Sequence, residues 1–209
     1  LAESAGAQLH IAHISTERSI ELVKNAKDKG LPVTCEVTPH HLVLNEEANL
    51  SFNTNTKMKP PLRSEKDRLA CIQALKEGII DCIATDHAPH ADFEKEREFD
   101  LAPFGIIGLE TAFPVLYKNL VQTGQIDLNR LIEALTIAPA KILNLPGGIL
   151  AEGKTADLTI IDLEKETLFS AENILSKSKN TPWLNQWFPG RIMCTICDGK
   201  ITYLDSENG

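Results

Sequence analysis

Six histidines fall in three tight pairs: His10 with His13, His40 with His41, and His87 with His90. Random scatter would seldom group them so. Each pair sits within or just after an apolar run, and carboxylates Glu36 and Asp86 stand beside them. Neutral imidazole with carboxylate is a donor set that suits zinc. The sharpest element is Thr85-Asp86-His87-Ala88-Pro89-His90. Asp86 closes an apolar run, so it leaves a dry wall for a cleft, where a carboxylate can both hold a metal and move a proton. His90, four residues on and past a proline, is placed to face the same cleft. The simpler readings are that Asp86 caps a loop and that some histidines are hydrogen-bonded structural residues. For His10 and for either member of the His40-His41 pair, the structural reading is the expectation.

The elements that must position these groups alternate. Gln8 to Ile14 reads as a strand leading to a Ser15-Thr16 cap, and Arg18 to Lys29 is periodic behind it, closing near Gly30. Leu31 to Val37 reads as a second strand, Ser64 to Lys76 as a second long helix ending at Gly78, and Ile79 to Thr85 as a third strand. This order predicts βαβ units and a parallel sheet. His13, Glu36 and Asp86 lie at or near the carboxy ends of those strands, where a barrel of alternating strands and helices keeps its active site. Eight strands close such a barrel and three are visible. The opening Leu1 to Ala7 resembles the tail of a helix, so the chain is expected to begin inside a barrel. The fold class expected is therefore α/β: a partial TIM (β/α)8 barrel, about its last three strands with their helices, over residues 1–146.

A loop from Ala88 to Ile107 is longer than compact domains usually keep without a functional reason, which suggests an active-site flap. Helices are predicted around Leu109 to Leu120, Asp127 to Ala134 and Pro139 to Leu143. From Gly147 the pattern changes to short β segments, at Asp157 to Asp162, Ile192 to Cys197 and Ile201 to Leu204, the last two joined by an Asp198-Gly199 turn. Residues 147–209 are read as a small β appendage, a composite β-sandwich segment. Ser170 to Asn185 reads as loop without further signal.

Composition narrows the function classes. A net charge of −8 without a basic stripe argues against nucleic acid as partner. No run is long and apolar enough to span a bilayer, and the start shows no signal-peptide pattern, so a cytoplasmic location without membrane contact is expected. The five cysteines are scattered among apolar neighbours and read as buried free thiols. Cys194 and Cys197 form a C-x-x-C within a predicted strand, where residues three apart point to opposite faces, which disfavours a metal knuckle or redox pair.

Five segments together resemble the bacterial-type dihydroorotases: His13-Ile14-Ser15-Thr16, Glu36 to His41, Lys57-Met58-Lys59-Pro60-Pro61-Leu62-Arg63, Thr85 to His90, and Phe104 to Thr111. A looser match, Ile137 to Leu143 through Gly153 to Leu158, is shared with hydantoinases, allantoinases and other amidohydrolases. The resemblance runs from about Gln8 to Leu204 and covers only the later part of the family's chain. It implies a zinc hydrolase, with one or two Zn2+ per intact site, that interconverts N-carbamoyl-L-aspartate and dihydroorotate in pyrimidine biosynthesis. It implies that His13 is a zinc ligand, that Asp86 contacts zinc and acts as general base, and that His90 contacts the substrate carboxylate. Phe104 and Gly105 would close over the ring, and Lys59 stands where relatives usually carry a substrate-contacting asparagine. The family's amino-terminal metal ligands have no counterpart here, so the 209 residues alone are expected to be inactive. The rival readings are a hydantoinase- or allantoinase-type enzyme, and a non-catalytic homologue serving an aspartate carbamoyltransferase. The partner arrangements left open are a homodimer and an association with that transferase.

Overall fold

The computed structural model describes residues 1–205. The opening residues do form a short helix, α1 (Ala2–Ala5), stopped by Gly6 at φ 60, a left-handed conformation that glycine adopts without penalty. Strand β1 (Leu9–Ile11) follows, then α2 (Glu17–Asp28), whose Thr16 side chain accepts from the Ser19 N–H as an N-cap. Strand β2 (Val33–Val37) leads to the short α3 (Pro39–Val43), capped by Thr38. Two 3₁₀ turns, Glu46–Ser51 and Thr54–Thr56, connect to α4 (Glu65–Lys76), capped by Ser64, whose side chain accepts from the Asp67 N–H. Strand β3 (Cys82–Ile83) pairs with β2, and β2 with β1, all parallel in the order β1-β2-β3.

The third strand is much shorter than Ile79 to Thr85. Its ladder partner runs out: β2 ends at Val37, and Thr38 turns away to cap α3. The backbone bond from Ala84 N–H to the Val37 carbonyl is the last link. The long loop after Asp86 contains a single helical turn, α5 (Asp92–Lys95). The helix expected over Leu109 to Leu120 is divided into α6 (Ala112–Leu116) and a π-helical turn, Tyr117–Val121. It starts late because Gly108 is pressed against the Thr85 backbone, where an added Cβ would lie 2.9 Å from the Thr85 carbonyl oxygen. Helices α7 (Leu128–Leu135), capped by Asp127, and α8 (Ile137–Ile142), with Pro139 in its first turn, follow as expected.

Alternation along β2 decides what each residue does. Val33, Cys35 and Val37 are buried in one core with Ile20 and Val23 of α2 and Cys71, Ile72 and Leu75 of α4. Thr34 and Glu36, between them, are only partly buried and face the other way.

The remaining strands, β4 (Leu158–Leu168), β5 (Trp187–Cys197) and β6 (Lys200–Leu204), form an antiparallel sheet in that order. The β5–β6 turn has Asp198 at φ 50 and Gly199 at φ 72, the two positive values a type I′ hairpin needs. Cys194 is buried and Cys197 exposed, on opposite faces of β5. This sheet leans on α6 through Gly190, where a Cβ would meet the Phe113 ring at 2.8 Å. A second core joins Met58, Leu62, Ile106, Ile107 and Val115 to Phe169, Ile174, Trp183 and Phe188, so the residue 169–188 segment packs beneath the end of the long loop.

Candidate active site

The polar face of the parallel sheet gathers three of the groups singled out by type and position. Glu36, central on β2, lies between two histidines of β1 and the turn after it: His10 Nε2 is 3.1 Å from one carboxylate oxygen and His13 Nδ1 is 2.9 Å from the other. The His13 contact is close but lies outside hydrogen-bond alignment, and that buried nitrogen has no aligned partner. The opposite nitrogen of the ring, His13 Nε2, stands 3.6 Å from Asp86 Oδ1. His13 and Asp86 both adopt left-handed backbone, at φ 56 and φ 49. Residues other than glycine hold such geometry at a cost of order 1–3 kcal/mol, and they concentrate at functional sites. The turn after each strand re-aims the side chain across the carboxy edge of the sheet.

A cation fits between these two residues by simple geometry. Two ligands each about 2.0–2.2 Å from a tetrahedral ion stand about 3.4 Å apart, close to the observed separation of 3.6 Å. One imidazole nitrogen and one carboxylate oxygen are the donor types zinc takes. A different trio, His10, Glu36 and Cys82, also brings donor atoms within 4.8 Å of one another. Its thiol is pushed up to about 12, by burial first and by the Glu36 charge next, so without an ion it stays protonated. His10 is in addition bonded to Thr34 Oγ1 at 2.8 Å, which supports its expected structural role.

The other two pairs behave differently from each other. His41 is satisfied, by Thr38 Oγ1 at 2.7 Å and the Pro60 carbonyl at 3.0 Å. His40 is buried with its Nε2 unpartnered, and burial holds its pKa well below the ordinary 6.5. The His87 Nδ1 accepts from the N–H groups of Gly108 and Leu109, so the proton resides on Nε2 and the ring acts as a turn fastener.

His90, Phe104 and Gly105 form a second group. His90 Nε2 donates to the Phe104 carbonyl at 2.8 Å. Gly105, at φ 99, is so close to Ala88 that an added Cβ would sit 2.6 Å from the alanine methyl. Lys59 is exposed and reaches this group only through the Phe104 ring, 5.8 Å from its centroid. Lys57 lies over the same ring at 4.6 Å and is buried, its ammonium donating to the carbonyls of Asp100 and Ala102.

Two residues that pattern reading passed over hold the long loop in place. Lys95 is buried and donates to the carbonyls of Thr54, Pro103 and Gly105, while burial and then the Lys57 charge pull its pKa down to about 8. Asn180, 4% exposed, bonds to the backbone of residues 88, 90, 105 and 107. Nothing local marks either one: a lysine in a charged loop and an asparagine in a polar stretch look like solvent-facing residues.

The amidohydrolase family profile matches residues 2–202. The chain belongs to the amidohydrolase family. Among its relatives, the dihydroorotase of Bacillus subtilis (strain 168) is 51% identical over 203 residues, covering 97% of this chain and 47% of that protein. The dihydroorotase of Elusimicrobium minutum (strain Pei191) is 52% identical, covering 100% of this chain and 48% of that one. A solved L-hydantoinase from Arthrobacter aurescens superposes with a TM-score of 0.91 at 30% identity, over 97% of this chain and 46% of its own. This amidohydrolase chain thus spans about half the length of the curated relatives it matches, and its fold is that of the amidohydrolase superfamily. Among the described residues, no helix is long and apolar enough to cross a membrane.

Proposed function

We propose that this chain is the carboxy-terminal part of a zinc-dependent dihydroorotase, and that His13 and Asp86 supply two of its metal ligands. The observation that carries this reading is the 3.6 Å approach of His13 Nε2 to Asp86 Oδ1 on the uncovered polar face of a parallel sheet. Parallel sheets are ordinarily covered on both faces. Here helices cover one, and the other presents His10, Thr34 and Glu36. A barrel completed by a preceding half would enclose that face and add the further ligands a catalytic zinc needs. In this arrangement residues 1–146 are the end of a TIM barrel, and the described residues 147–205 contribute one layer of a composite β-sandwich, residues 206–209 lying outside the described residues.

Zinc held between His13 and Asp86 would supply Lewis acidity, lowering the pKa of a water from 15.7 to about 7 and polarising the ring carbonyl. Asp86 takes a proton from the attacking water and returns it to the departing amide nitrogen. Glu36 lies behind the His13 ring, its carboxylate 2.9 Å from Nδ1. His90 and the Phe104–Gly105 turn hold the substrate's carboxylate and ring, and the exposed Lys59 beside Phe104 offers a cation to an anionic substrate.

A hydantoinase reading is favoured by one observation, the TM-score of 0.91 to the L-hydantoinase. The sequence supports the first reading: about half the residues match dihydroorotases, and 30% match the hydantoinase. The test is zinc content together with hydrolysis of dihydroorotate and of hydantoin, on the 209 residues and on a form extended upstream. Zinc binding and dihydroorotate turnover by the extended form support the assignment. A preference for hydantoin would overturn the substrate while leaving the metal site standing.

A further inference from the structure

We infer that Asn180 is a positioning residue for substrate binding: it sets the spacing between the loop that leaves Asp86 and the Phe104–Gly105 turn. The inference rests on the reading above that His90, Phe104 and Gly105 receive the substrate. Asn180 lies in a segment far along the chain from both loops, yet its side-chain amide and its backbone carbonyl all bond to them. Its Nδ2 donates to the Ala88 carbonyl at 2.9 Å and the Gly105 carbonyl at 3.3 Å. Its Oδ1 accepts from the His90 N–H at 3.2 Å, and its backbone carbonyl accepts from the Ile107 N–H at 3.1 Å.

The support beneath Asn180 is firm. Thr181 and Trp183 are buried at 2% and 5% exposure, and Ile174 and Trp183 belong to the second core. The Glu110 carboxylate accepts from the N–H groups of Leu175 and Ser176. The two loops also meet each other, through the Ala88 N–H to the Ile106 carbonyl at 2.8 Å and through the close approach of Gly105 to Ala88. A side chain of equal volume without polar atoms could fill the space, but it would leave the Ala88 carbonyl and the His90 N–H without this partner, and the Gly105 carbonyl with Lys95 in place of both donors. The contacts are with the proposed substrate-binding group and not with His13 or Asp86. Asn180 should therefore govern affinity for substrate and leave the metal alone.

The experiment uses the full-length protein and the variants Asn180→Asp and Asn180→Ala. Asn180→Asp keeps an acceptor for His90 but turns an oxygen toward the carbonyls of Ala88 and Gly105. The expected result is a rise of about tenfold or more in KM for dihydroorotate, a smaller change in kcat, and unchanged zinc content. Hydrogen exchange at the amides of His90 and Ile107 should quicken while that of α4 stays as it was. Should Asn180→Asp fail to fold, Asn180→Ala is expected to shift KM and exchange the same way. An unchanged KM, with or without faster exchange, overturns the inference, as does a fall in zinc content or kcat as large as the change in KM. If the unsubstituted protein hydrolyses hydantoin and not dihydroorotate, the dihydroorotase reading fails and the same comparison on hydantoin decides Asn180. If it hydrolyses neither, exchange decides: protection unchanged in the variants overturns the clamp, and protection lost at His90 and Ile107 alone upholds it.

Discussion

Along β2, the residues that face α2 and α4 and the residues that face the other way differ in nearly every property burial controls. Val33, Cys35 and Val37 are 7%, 0% and 0% exposed and pack their side chains into the apolar core. Thr34 and Glu36 keep partial access to solvent and spend their polar atoms on His10 and His13. The pleat makes this division at every second residue. One strand can therefore carry stability on one face and chemistry on the other, and a substitution should injure one without the other.

The largest test of that separation is Asp86→Asn in the full-length protein. Loss of the proton carrier is expected to reduce hydrolysis by at least about 10²–10⁴-fold, with little change in melting temperature, because the Asp86 side chain is about one-third exposed, at 32%. Steady-state kinetics and a thermal melt on the same preparation check both halves; an active Asp86→Asn enzyme removes Asp86 from the mechanism. The mirror experiment is Leu75→Ala on α4, fully buried behind the sheet. Deleting that side chain should cost about 2–5 kcal/mol in urea denaturation while KM stays near its original value.

Gly105→Ala is a smaller perturbation on the loop side. The new methyl would meet Ala88 at 2.6 Å in a backbone conformation, φ 99, that alanine resists. Strain of about 1–3 kcal/mol should be read mainly as a weaker KM, and an unaffected enzyme would show that the turn is free to move. A pH dependence probes the boundary between the faces. Burial lowers the pKa of both His40 and His41 beneath 6.5 in the folded chain. Between the folded and unfolded values the unfolded chain holds more protons, so stability is complete above about 6.5 and falls as pH drops through that range. Denaturation midpoints from about pH 8 down to pH 5 would reveal the slope, and a flat profile would contradict buried neutral imidazoles. The mildest effect is on thiol labelling. Burial pushes Cys35, Cys71 and Cys82 up to about 12, whereas Cys197 is exposed. Alkylation of the folded protein should mark Cys197 first and reach the four buried cysteines, Cys194 included, only on unfolding, as peptide mapping would show.

Much of this arrangement was readable from residue order. The alternation of strand and helix, the cap at Thr16, the helix starts near Ser64 and Asp127, and the Asp198-Gly199 turn are all local: each depends on interactions between residues near in sequence. His13 and Asp86 were recognisable because each ends an apolar run, and strand ends are where a parallel sheet opens. Tertiary structure alone decided the rest. The length of β3 depends on where its neighbour turns away, and the start of α6 on the press of Gly108 against Thr85. The 3.6 Å meeting of His13 with Asp86 depends on parallel register across β2 and on two left-handed residues. Lys95 and Asn180 became structural pins only because distant loops place bare carbonyls around them. Local periodicity carries no information about such partners: the hydrogen bonds that define these two residues are made with backbone groups whose positions the whole fold sets.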